Sequence, residues 1–471
     1  MRAIRVAWVF VVIVALCGHC RAQEVRVMGM TPHEEDGHRG DLLEELISAE
    51  EAFRSDPEDG ARYEYASLLM EAGRFERASE VVAPLLDSVP PSDEALSLGA
   101  RLAYWMGDYE RAQSLFGEIL APEPNDARAL TGLAMTYYQT NDFAACAGLS
   151  EEQRGAVMLP MLDLMLAFGE EDPYSAEWDE DRSSTVPFIT TDPLPVVEVE
   201  IDGRRLAALI DTGADLFILD TDIADELGIE SLTTMLGMFA GGKRAEIGFA
   251  RAGSLRLGDV TLRSVPISIL PTKPLSLGDV EIGGIIGTGV LRQFVSTMDY
   301  PNSRLVLRER SDKGLAASLD ALDGLVVESV PFYLEGSHFI LAHGSLNGSE
   351  GLLFLVDSGL AGVPAFGAPR QTLEYVGIPV PEVSVREDVI GGAGGGFAVG
   401  EFEIEELGLG SLRQKDLVGS FGGQPPGSYR RAGFIKDGLI SHNFVKHYVW
   451  TLDFDGMTMY LARDANASSG G

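Results

Sequence analysis

Two short stretches of the 471-residue sequence decide its fold: ALIDTGAD at residues 208–215 and FLVDSGL at residues 354–360. In each, an apolar run typical of a buried strand leads into Asp, a hydroxyl residue and Gly. One such tripeptide means little, because these residues are common in ordinary turns. The two stretches, whose aspartates Asp211 and Asp357 lie 146 positions apart, become informative as a pair.

The segments that follow the two stretches also correspond. GIIG at 284–287 and MDYPNSRLVL at 298–307 follow the first, and GLIS at 438–441 and LDFDGMTMY at 452–460 follow the second. Both series end in an aspartate, a turn and an alternating strand, in the same order. We infer an internal duplication, with one lobe at 187–310, an inter-lobe linker at 311–323, a second lobe at 324–465 and a tail at 466–471.

Paired aspartates have a chemistry that explains why two such copies belong together. Two carboxyl groups within hydrogen-bond reach cannot both ionise easily, so they share a proton and titrate as a pair. One can act as a base on water while the other protonates a substrate carbonyl. Thr212 and Ser358 offer hydroxyls to tie the loops together, and Gly213 and Gly359 allow close approach of the backbone.

On these motifs, the β half resembles the bacterial pepsin/retropepsin-like aspartic proteases, which carry an apolar-apolar-Asp-Thr/Ser-Gly segment and a later apolar-apolar-Gly segment. The resemblance implies a mainly-β, bilobal acid-protease fold, with Asp211 and Asp357 as the catalytic dyad and no metal or cofactor. Because both aspartates lie on one chain, a monomer suffices. The resemblance also assigns substrate binding to Asp215 and to two glycine-rich flaps, namely Gly241 and Gly242 in the first lobe and Gly391 and Gly392, which begin the run to Gly396, in the second.

The second copy departs from the family pattern at two positions. Leu360 stands where Ala, Ser or Thr is usual, and Ser441 replaces the second glycine of the later segment. A bulky residue beside Asp357 is expected to crowd the dyad. An alternative is therefore a catalytically weak or inactive peptide-binding module or scaffold that uses the same cleft.

Residues 41–168 have a helical pattern that repeats every 34 residues. Each unit indicates two amphipathic helices joined by a tight turn. The segment resembles the tetratricopeptide repeat, whose helix pairs stack into an α-solenoid and bind protein partners. A plain helical bundle is the alternative, although a bundle needs no fixed register. The columns in register are Gly73, Gly107 and Asn141; Phe75, Tyr109 and Phe143; Ala66, Ala100 and Ala134; and Ala78, Ala112 and Cys146.

The remaining features concern charge and export. With 36 Lys and Arg against 72 Asp and Glu, the chain has a formal net charge of −36, which disfavours nucleic-acid binding. Residues 1–22 have the charged start, short apolar run and small-residue cleavage site of a signal peptide, with a retained anchor as the alternative. A leader at 23–40 and an acidic linker at 169–186 complete the organisation, and no membrane span is expected after cleavage.

The sequence thus predicts an exported aspartic endopeptidase, periplasmic or secreted, in which Asp211 and Asp357 activate water. Its substrate is a peptide or protein. The helical repeats are expected to recruit a protein or to regulate the cleft.

Overall fold

The computed structural model describes residues 8–9, 14–16, 39–238, 244–362, 364–386, 389–390, 397–422, 429–430 and 432–464. Helices fill residues 39–168, and strands dominate from residue 175 onward. A helical region that ends at Phe168 therefore precedes a β region.

The helical region consists of six long helices followed by three short ones. The side chains of Ser92, Asp108 and Asp126 accept hydrogen bonds from the first turns of three of the long helices, which fixes where those helices begin. The helices are α1 (Arg39–Ser55), α2 (Asp59–Glu71), α3 (Phe75–Leu86), α4 (Asp93–Trp105), α5 (Tyr109–Leu120), α6 (Ala127–Gln139), α7 (Phe143–Ala147), α8 (Glu151–Ala156) and α9 (Leu162–Phe168).

The 34-residue columns occupy equivalent positions in successive helix pairs. Gly73, Gly107 and Asn141 lie at the turn within each pair, with φ angles of 76°, 80° and 58°. Glycine and asparagine adopt this left-handed conformation most readily, so turn chemistry sets the register. The two columns of small residues are completely buried at 0% exposure: Ala66, Ala100 and Ala134, and Ala78, Ala112 and Cys146.

The β region contains two series of elements in a similar order, called lobe 1 and lobe 2 below. Lobe 1 contains β4 (Ser183–Thr190), β5 (Val196–Ile201), β6 (Arg204–Ile210), β7 (Phe217–Leu219), α10 (Thr221–Leu227), β8 (Thr233–Met238), β9 (Arg244–Leu257), β10 (Val260–Ile269), β11 (Ile282–Ile286), α11 (Thr288–Leu291), β12 (Phe294–Asp299) and β13 (Arg304–Glu309). Lobe 2 contains β14 (Val326–Glu335), β15 (Phe339–Leu346), β16 (Ser349–Val356), β17 (Phe366–Ala368), α13 (Arg370–Val376), β18 (Ser384–Arg386), β19 (Val389–Ile390), β20 (Phe397–Leu409), β21 (Leu412–Gly422), β22 (Gly438–Ile440), α14 (His442–Val445), β23 (Val449–Asp453) and β24 (Thr458–Arg463).

One antiparallel sheet joins the two lobes. Its strand order is β4-β13-β12-β23-β24-β14, so the strands of lobe 1 are mirrored by those of lobe 2 across the central pair. In that pair, Ser296 of β12 is opposite Leu452 of β23, and Met298 is opposite Trp450. The side chain of Trp450 is completely buried, which anchors the junction in the shared core.

Both predicted linkers contain regular secondary structure. Within residues 169–186, β3 (Ser175–Trp178) pairs with β10 of lobe 1, and β4 already begins at Ser183. Three acidic residues of this stretch, Glu171, Glu177 and Asp179, pair with arginines of lobe 1, as Glu177 does with Arg263 at 2.8 Å, and their side chains remain exposed to solvent. Most of the predicted linker at 311–323 forms helix α12 (Asp312–Asp320).

The helical region lies against both lobes. Its first part shares an apolar cluster with lobe 2, in which the ring of Phe434 lies 5.0 Å from the rings of Phe75 and Trp105. Its last part shares another cluster with lobe 1, which includes Tyr138, Phe143 and Cys146. The helices therefore contact both lobes through two apolar clusters.

Little of the predicted signal peptide is described. Residues 8–9 (β1) pair with 389–390 of lobe 2, and residues 14–16 (β2) pair with 236–238 of lobe 1. The other residues of the signal peptide, those of the leader up to residue 38 and the tail lie outside the described residues. Among the residues that the structure does describe, there is no helix of the length and apolarity that a membrane crossing requires.

Candidate active site

Each Asp-hydroxyl-Gly loop emerges from the end of a buried strand. Strand β6 ends at Ile210 and runs parallel to β11, and β16 ends at Val356 and runs parallel to β22. The backbone N–H of Asp211 donates to the carbonyl of Ile286 at 3.0 Å, and that of Asp357 donates to the carbonyl of Ile440 at 2.9 Å. The duplicated GIIG and GLIS segments thus support the aspartates from equivalent positions.

The two loops are joined by reciprocal hydrogen bonds between Thr212 and Ser358. The N–H of Thr212 donates to the Ser358 hydroxyl at 3.1 Å, and the N–H of Ser358 donates to the Thr212 hydroxyl at 3.0 Å. Each hydroxyl in turn donates to a carbonyl of the other lobe, Val356 at 2.9 Å and Ile210 at 3.1 Å. All four groups are buried and satisfied, so the network fixes the relative position of the loops.

The glycines of the loops bring the two carboxyl groups together. The N–H of Gly213 donates to Asp211 Oδ1, and that of Gly359 donates to Asp357 Oδ1, both at 2.8 Å. A Cβ atom on Gly213 would lie 2.7 Å from Asp357 Oδ2, and one on Gly359 would overlap the Asp211 carboxyl group. Each carboxyl group therefore packs on the glycine of the opposite loop, which leaves no room for a side chain there.

The environment of the pair opposes ionisation. Asp211 is 0% exposed and Asp357 is 1% exposed, and their Oδ2 atoms have no hydrogen-bond partner among the described residues. Burial raises the pKa of Asp357 to about 6. Burial and the neighbouring charge of Asp357 raise the pKa of Asp211 well above its usual range. Such a pair retains a shared proton at pH values where isolated carboxyl groups have lost theirs.

The two departures in lobe 2 have structural explanations. Leu360 is 1% exposed and belongs to the apolar cluster that lobe 2 shares with the helices. Ser441 donates its hydroxyl to the carbonyl of Pro364 at 2.7 Å, whereas a Cβ atom at Gly287 of lobe 1 would overlap the backbone of Asp215. Both residues therefore fit their surroundings. Because Leu360 packs in an apolar cluster, its size does not require the expected crowding of the dyad.

Asp215 lies at the junction of lobe 1, lobe 2 and the helices. The hydroxyl of Tyr138 at the end of α6 donates to its Oδ1 atom at 2.9 Å. Its Oδ2 atom lies 3.8 Å from Nδ1 of His338, in the β14–β15 turn of lobe 2. The sequence interpretation assigned Asp215 to substrate binding, and the structure adds a contact with the helical region.

Several residues near Asp215 were not singled out from the sequence. Arg292, which is 2% exposed, donates to the side chain of Gln139 and, at 2.9 Å, to the backbone carbonyl of Tyr138. Gln139 also donates to the carbonyl of Ser337 in lobe 2 at 2.9 Å. The available signal was an arginine within the otherwise apolar stretch after GIIG, because a buried cation requires partners.

The predicted flap glycines Gly241, Gly242, Gly391 and Gly392 lie outside the described residues. The strands leading to them are described: β8 and β9 pair in lobe 1, and β18 and β20 pair in lobe 2. Each lobe thus has a hairpin at the position where the sequence interpretation placed a flap.

Comparison with known proteins gives matches to both regions. The family model described as Aspartyl protease matches residues 197–290, and the one described as Tetratricopeptide repeat matches residues 106–149. The UBA domain-containing protein Mud1 of Schizosaccharomyces pombe is 29% identical over 112 residues, 23% of this chain and 31% of that protein. A retropepsin-like aspartic protease from Rickettsia conorii matches with a TM-score of 0.20 and 15% identity, over 29% of this chain and 94% of that one.

The matches support the interpretation of the sequence at a coarse level. The helical region contains sequence of the tetratricopeptide-repeat type, and lobe 1 contains sequence of the aspartyl-protease type, including Asp211. The matched segment spans about a third of the length of the curated relative. The chain is therefore similar to aspartyl proteases in one lobe and to tetratricopeptide repeats in its helices.

Proposed function

We propose that the protein is an exported aspartic endopeptidase with a pepsin-like arrangement of two lobes on one chain. The observation that carries this proposal is the reciprocal Thr212–Ser358 network, which brings together two buried carboxyl groups with raised pKa values. The match of lobe 1 to aspartyl proteases supports the same activity. Export rests on the signal-peptide pattern of residues 1–22.

In the proposed mechanism the pair begins with one proton, which we place on Asp211, because burial and the charge of Asp357 both raise its pKa. The Asp357 carboxylate takes a proton from water as the water oxygen attacks the peptide carbonyl carbon, and Asp211 gives its proton to the carbonyl oxygen. When the resulting diol collapses, Asp357 transfers its proton to the leaving nitrogen. Asp211 recovers a proton from a diol hydroxyl, which restores the starting state.

The proposed substrate is a peptide or protein in extended form. The hairpins β8–β9 and β18–β20 offer strand edges, and residues 14–16 and 8–9 already pair with β8 and β19. Strand addition of this kind supplies main-chain hydrogen bonds that do not depend on sequence. The helical repeats contact both lobes and in this proposal recruit a protein or regulate access to the cleft.

The test is hydrolysis of an unfolded protein by the chain from Gln23 onward, from acidic to neutral pH. We expect Asp211→Asn and Asp357→Asn each to lower the rate by roughly 10²–10⁴-fold, because each removes one proton-transfer group. Asp279→Asn, at an exposed aspartate of lobe 1, is the matched control and should leave the rate unchanged. Undiminished activity in either dyad variant would refute the mechanism.

A second candidate is a peptide-binding module that does not hydrolyse its ligand. The burial of both aspartates at 0% and 1% exposure favours it, because catalysis requires water to reach the pair. This candidate predicts that the chain binds an extended peptide but cleaves no substrate at any pH, and that it does not bind a pepstatin-type inhibitor, which needs a competent dyad. Cleavage that Asp211→Asn abolishes would exclude it.

A further inference from the structure

A cavity of about 280 Å³ lies between the helical region and both lobes. The helices contribute Thr131 and Met135 of α6 and residues 158–161, which connect α8 to α9. Lobe 1 contributes the segment after its catalytic loop and the β8–β9 hairpin, and lobe 2 contributes the β14–β15 turn and β22. All three parts of the molecule are therefore needed to form it.

The cavity adjoins the candidate dyad without containing it. Asp215 and Leu216, four and five residues after Asp211, are part of its lining. On the opposite lobe, Gly438 and Leu439 lie in β22, the strand parallel to the one that leads into Asp357. A peptide extended across the two aspartates would place a nearby side chain in this cavity.

The apolar part of the lining is rich in methionine. Met135, Met158 and Met161 come from the helical region, and Met235 comes from β8, where it is opposite Ile247 of β9. Methionine side chains are unbranched and polarisable, so a surface made of them adapts to several apolar partners. Met158 is held in place by its N–H, which donates to the Thr131 hydroxyl at 2.9 Å.

The polar part of the lining includes an unsatisfied group. His338 is 6% exposed, and its Nε2 atom has no hydrogen-bond partner among the described residues. Its Nδ1 atom already faces the Ser337 hydroxyl at 2.9 Å and the Asp215 carboxylate. A buried imidazole nitrogen without a partner is costly, and a peptide group of a bound ligand would satisfy it.

The charges around the cavity exclude acidic occupants. Asp215 and Glu335 both line it, and the ammonium group of Lys436 is committed to Glu335 at 2.6 Å. An aspartate or glutamate side chain entering the cavity would therefore meet like charge and lose its hydration.

We propose that this cavity is a substrate subsite for one large apolar side chain, such as Leu, Met or Phe, and that the helical repeats set this specificity. The proposal rests on the proposed function insofar as the occupant is the peptide that crosses the dyad. It assigns to Met135, Met158 and Met161 a role in selecting the substrate, and to His338 a hydrogen bond with the peptide backbone.

The test measures binding, so that it does not depend on cleavage. The full chain carrying Asp211→Asn is incubated with a random peptide library, and the retained peptides are sequenced by mass spectrometry. We expect Leu, Met or Phe to be enriched at least about tenfold over Ala at one position, and Asp and Glu to be depleted there, since each buried methylene contributes to such discrimination. A retained pool without an apolar position, or no retention at all, overturns the proposal.

Variants of the helical region then test whether its residues form the subsite. Met158→Trp on the same background narrows the cavity and should move the preference to Ala or Val, whereas Met135→Ala should extend it to Trp. Ile47→Trp, at an exposed apolar residue of α1 outside the cavity, is the matched control and should change nothing. An apolar preference that is identical in all variants would show that the helices do not form the subsite.

The two proposals fail in distinguishable ways. If the wild-type chain cleaves no substrate while the Asp211→Asn chain selects apolar peptides, the endopeptidase is refuted and the subsite stands. If the wild-type chain cleaves and the selection shows no effect of Met158→Trp, the subsite is refuted and the endopeptidase stands.

Discussion

The two lobes present the same loop in different surroundings. In lobe 1 the loop continues into Asp215, which accepts a hydrogen bond from Tyr138 of the helical region. In lobe 2 it continues into Leu360 and Ala361, and both pack into apolar clusters shared with the helices. The difference teaches that the Asp-hydroxyl-Gly core has kept its symmetry, whereas the next two positions serve the attachment of the helices.

A second pair of positions shows the same division. Gly287 of lobe 1 packs against the backbone of Asp215, where even a Cβ atom would overlap it. Its counterpart Ser441 is buried in lobe 2 and bonds to Pro364. The loop that follows each aspartate therefore determines how much space is left beside the last residue of the GIIG or GLIS segment.

The largest expected effect would break the symmetric core. Gly359→Ala places a methyl group in the volume of the Asp211 carboxyl group and should lower kcat at least about a hundredfold, since displacements of about 1 Å have that cost. In Gly213→Ala the new methyl carbon would lie 2.7 Å from Asp357 Oδ2, so kcat should also fall. Measuring both kcat and thermal unfolding for each variant distinguishes a displaced carboxyl group from a misfolded protein.

The control for these variants is Gly367→Ala in β17 of lobe 2. The nearest atom to its new methyl group is Ser420 Oγ at 3.6 Å, an ordinary contact, so activity should persist. Full activity in Gly359→Ala would contradict the packing of each carboxyl group on the opposite glycine.

The next prediction concerns stability and tests the ion pair that attaches α1 to lobe 2. Arg39 of α1 is 3% exposed and pairs with the buried Asp437 at 2.6 Å. Arg39→Ala leaves that carboxylate without its cation and should lower the free energy of unfolding by about 3–5 kcal/mol. Replacing both partners, Arg39→Met with Asp437→Leu, should recover most of the loss in urea titrations.

The exposed pair of Arg77 and Glu80 provides the matched control. Arg77→Ala should change the free energy of unfolding by about 1 kcal/mol or less, because exposed ion pairs contribute little. Equal effects of Arg39→Ala and Arg77→Ala would show that burial of the first pair does not matter.

The third prediction separates the two aspartates by pH. Protonated Asp357 cannot act as a base, so kcat/KM should rise about tenfold per pH unit up to its pKa of about 6. At higher pH the rate should pass through a maximum and fall as Asp211 loses its proton, because burial and the charge of Asp357 raise the pKa of Asp211 well above its usual range. A rate that is greatest in strong acid and declines before pH 6 would contradict the assignment.

The smallest effects come from exchanging Gly287 and Ser441. Gly287→Ser overpacks against the Asp215 backbone and should cost about 1–3 kcal/mol of stability. Ser441→Gly loses the bond to Pro364 and should cost about 1 kcal/mol with activity retained. Denaturant unfolding of both variants measures the two losses of unfolding free energy. Equal losses would show that the two positions do not differ in this way.

Local features of the fold could be predicted from the sequence because local chemistry determines them. The alternating sequence VVEVEI is typical of a strand and forms β5 (Val196–Ile201), and the Asp202-Gly203 turn after it has the positive φ angles, 45° and 84°, that such a hairpin requires. The repeat register followed from turn residues at fixed spacing. The pairing of the Asp loops followed from two matching motifs.

Contacts between distant segments left no periodic signal and were missed. Tyr138 with Asp215, Gln139 with Arg292 and Arg39 with Asp437 join residues far apart in sequence, and each partner alone is an ordinary polar residue. The ion pairs of the acidic stretch at 169–186 were missed for the same reason, since its arginine partners lie on β9 and β10.

The shared six-stranded sheet has a consequence for how the protein behaves on dilution. Since β12 and β23 belong to one chain, the encounter of Asp211 with Asp357 is a first-order event whose yield does not depend on protein concentration. Separate subunits would come apart below their dissociation constant. Here the covalent connection keeps the effective concentration of one lobe around the other high, so the paired aspartates persist at any dilution of the protein.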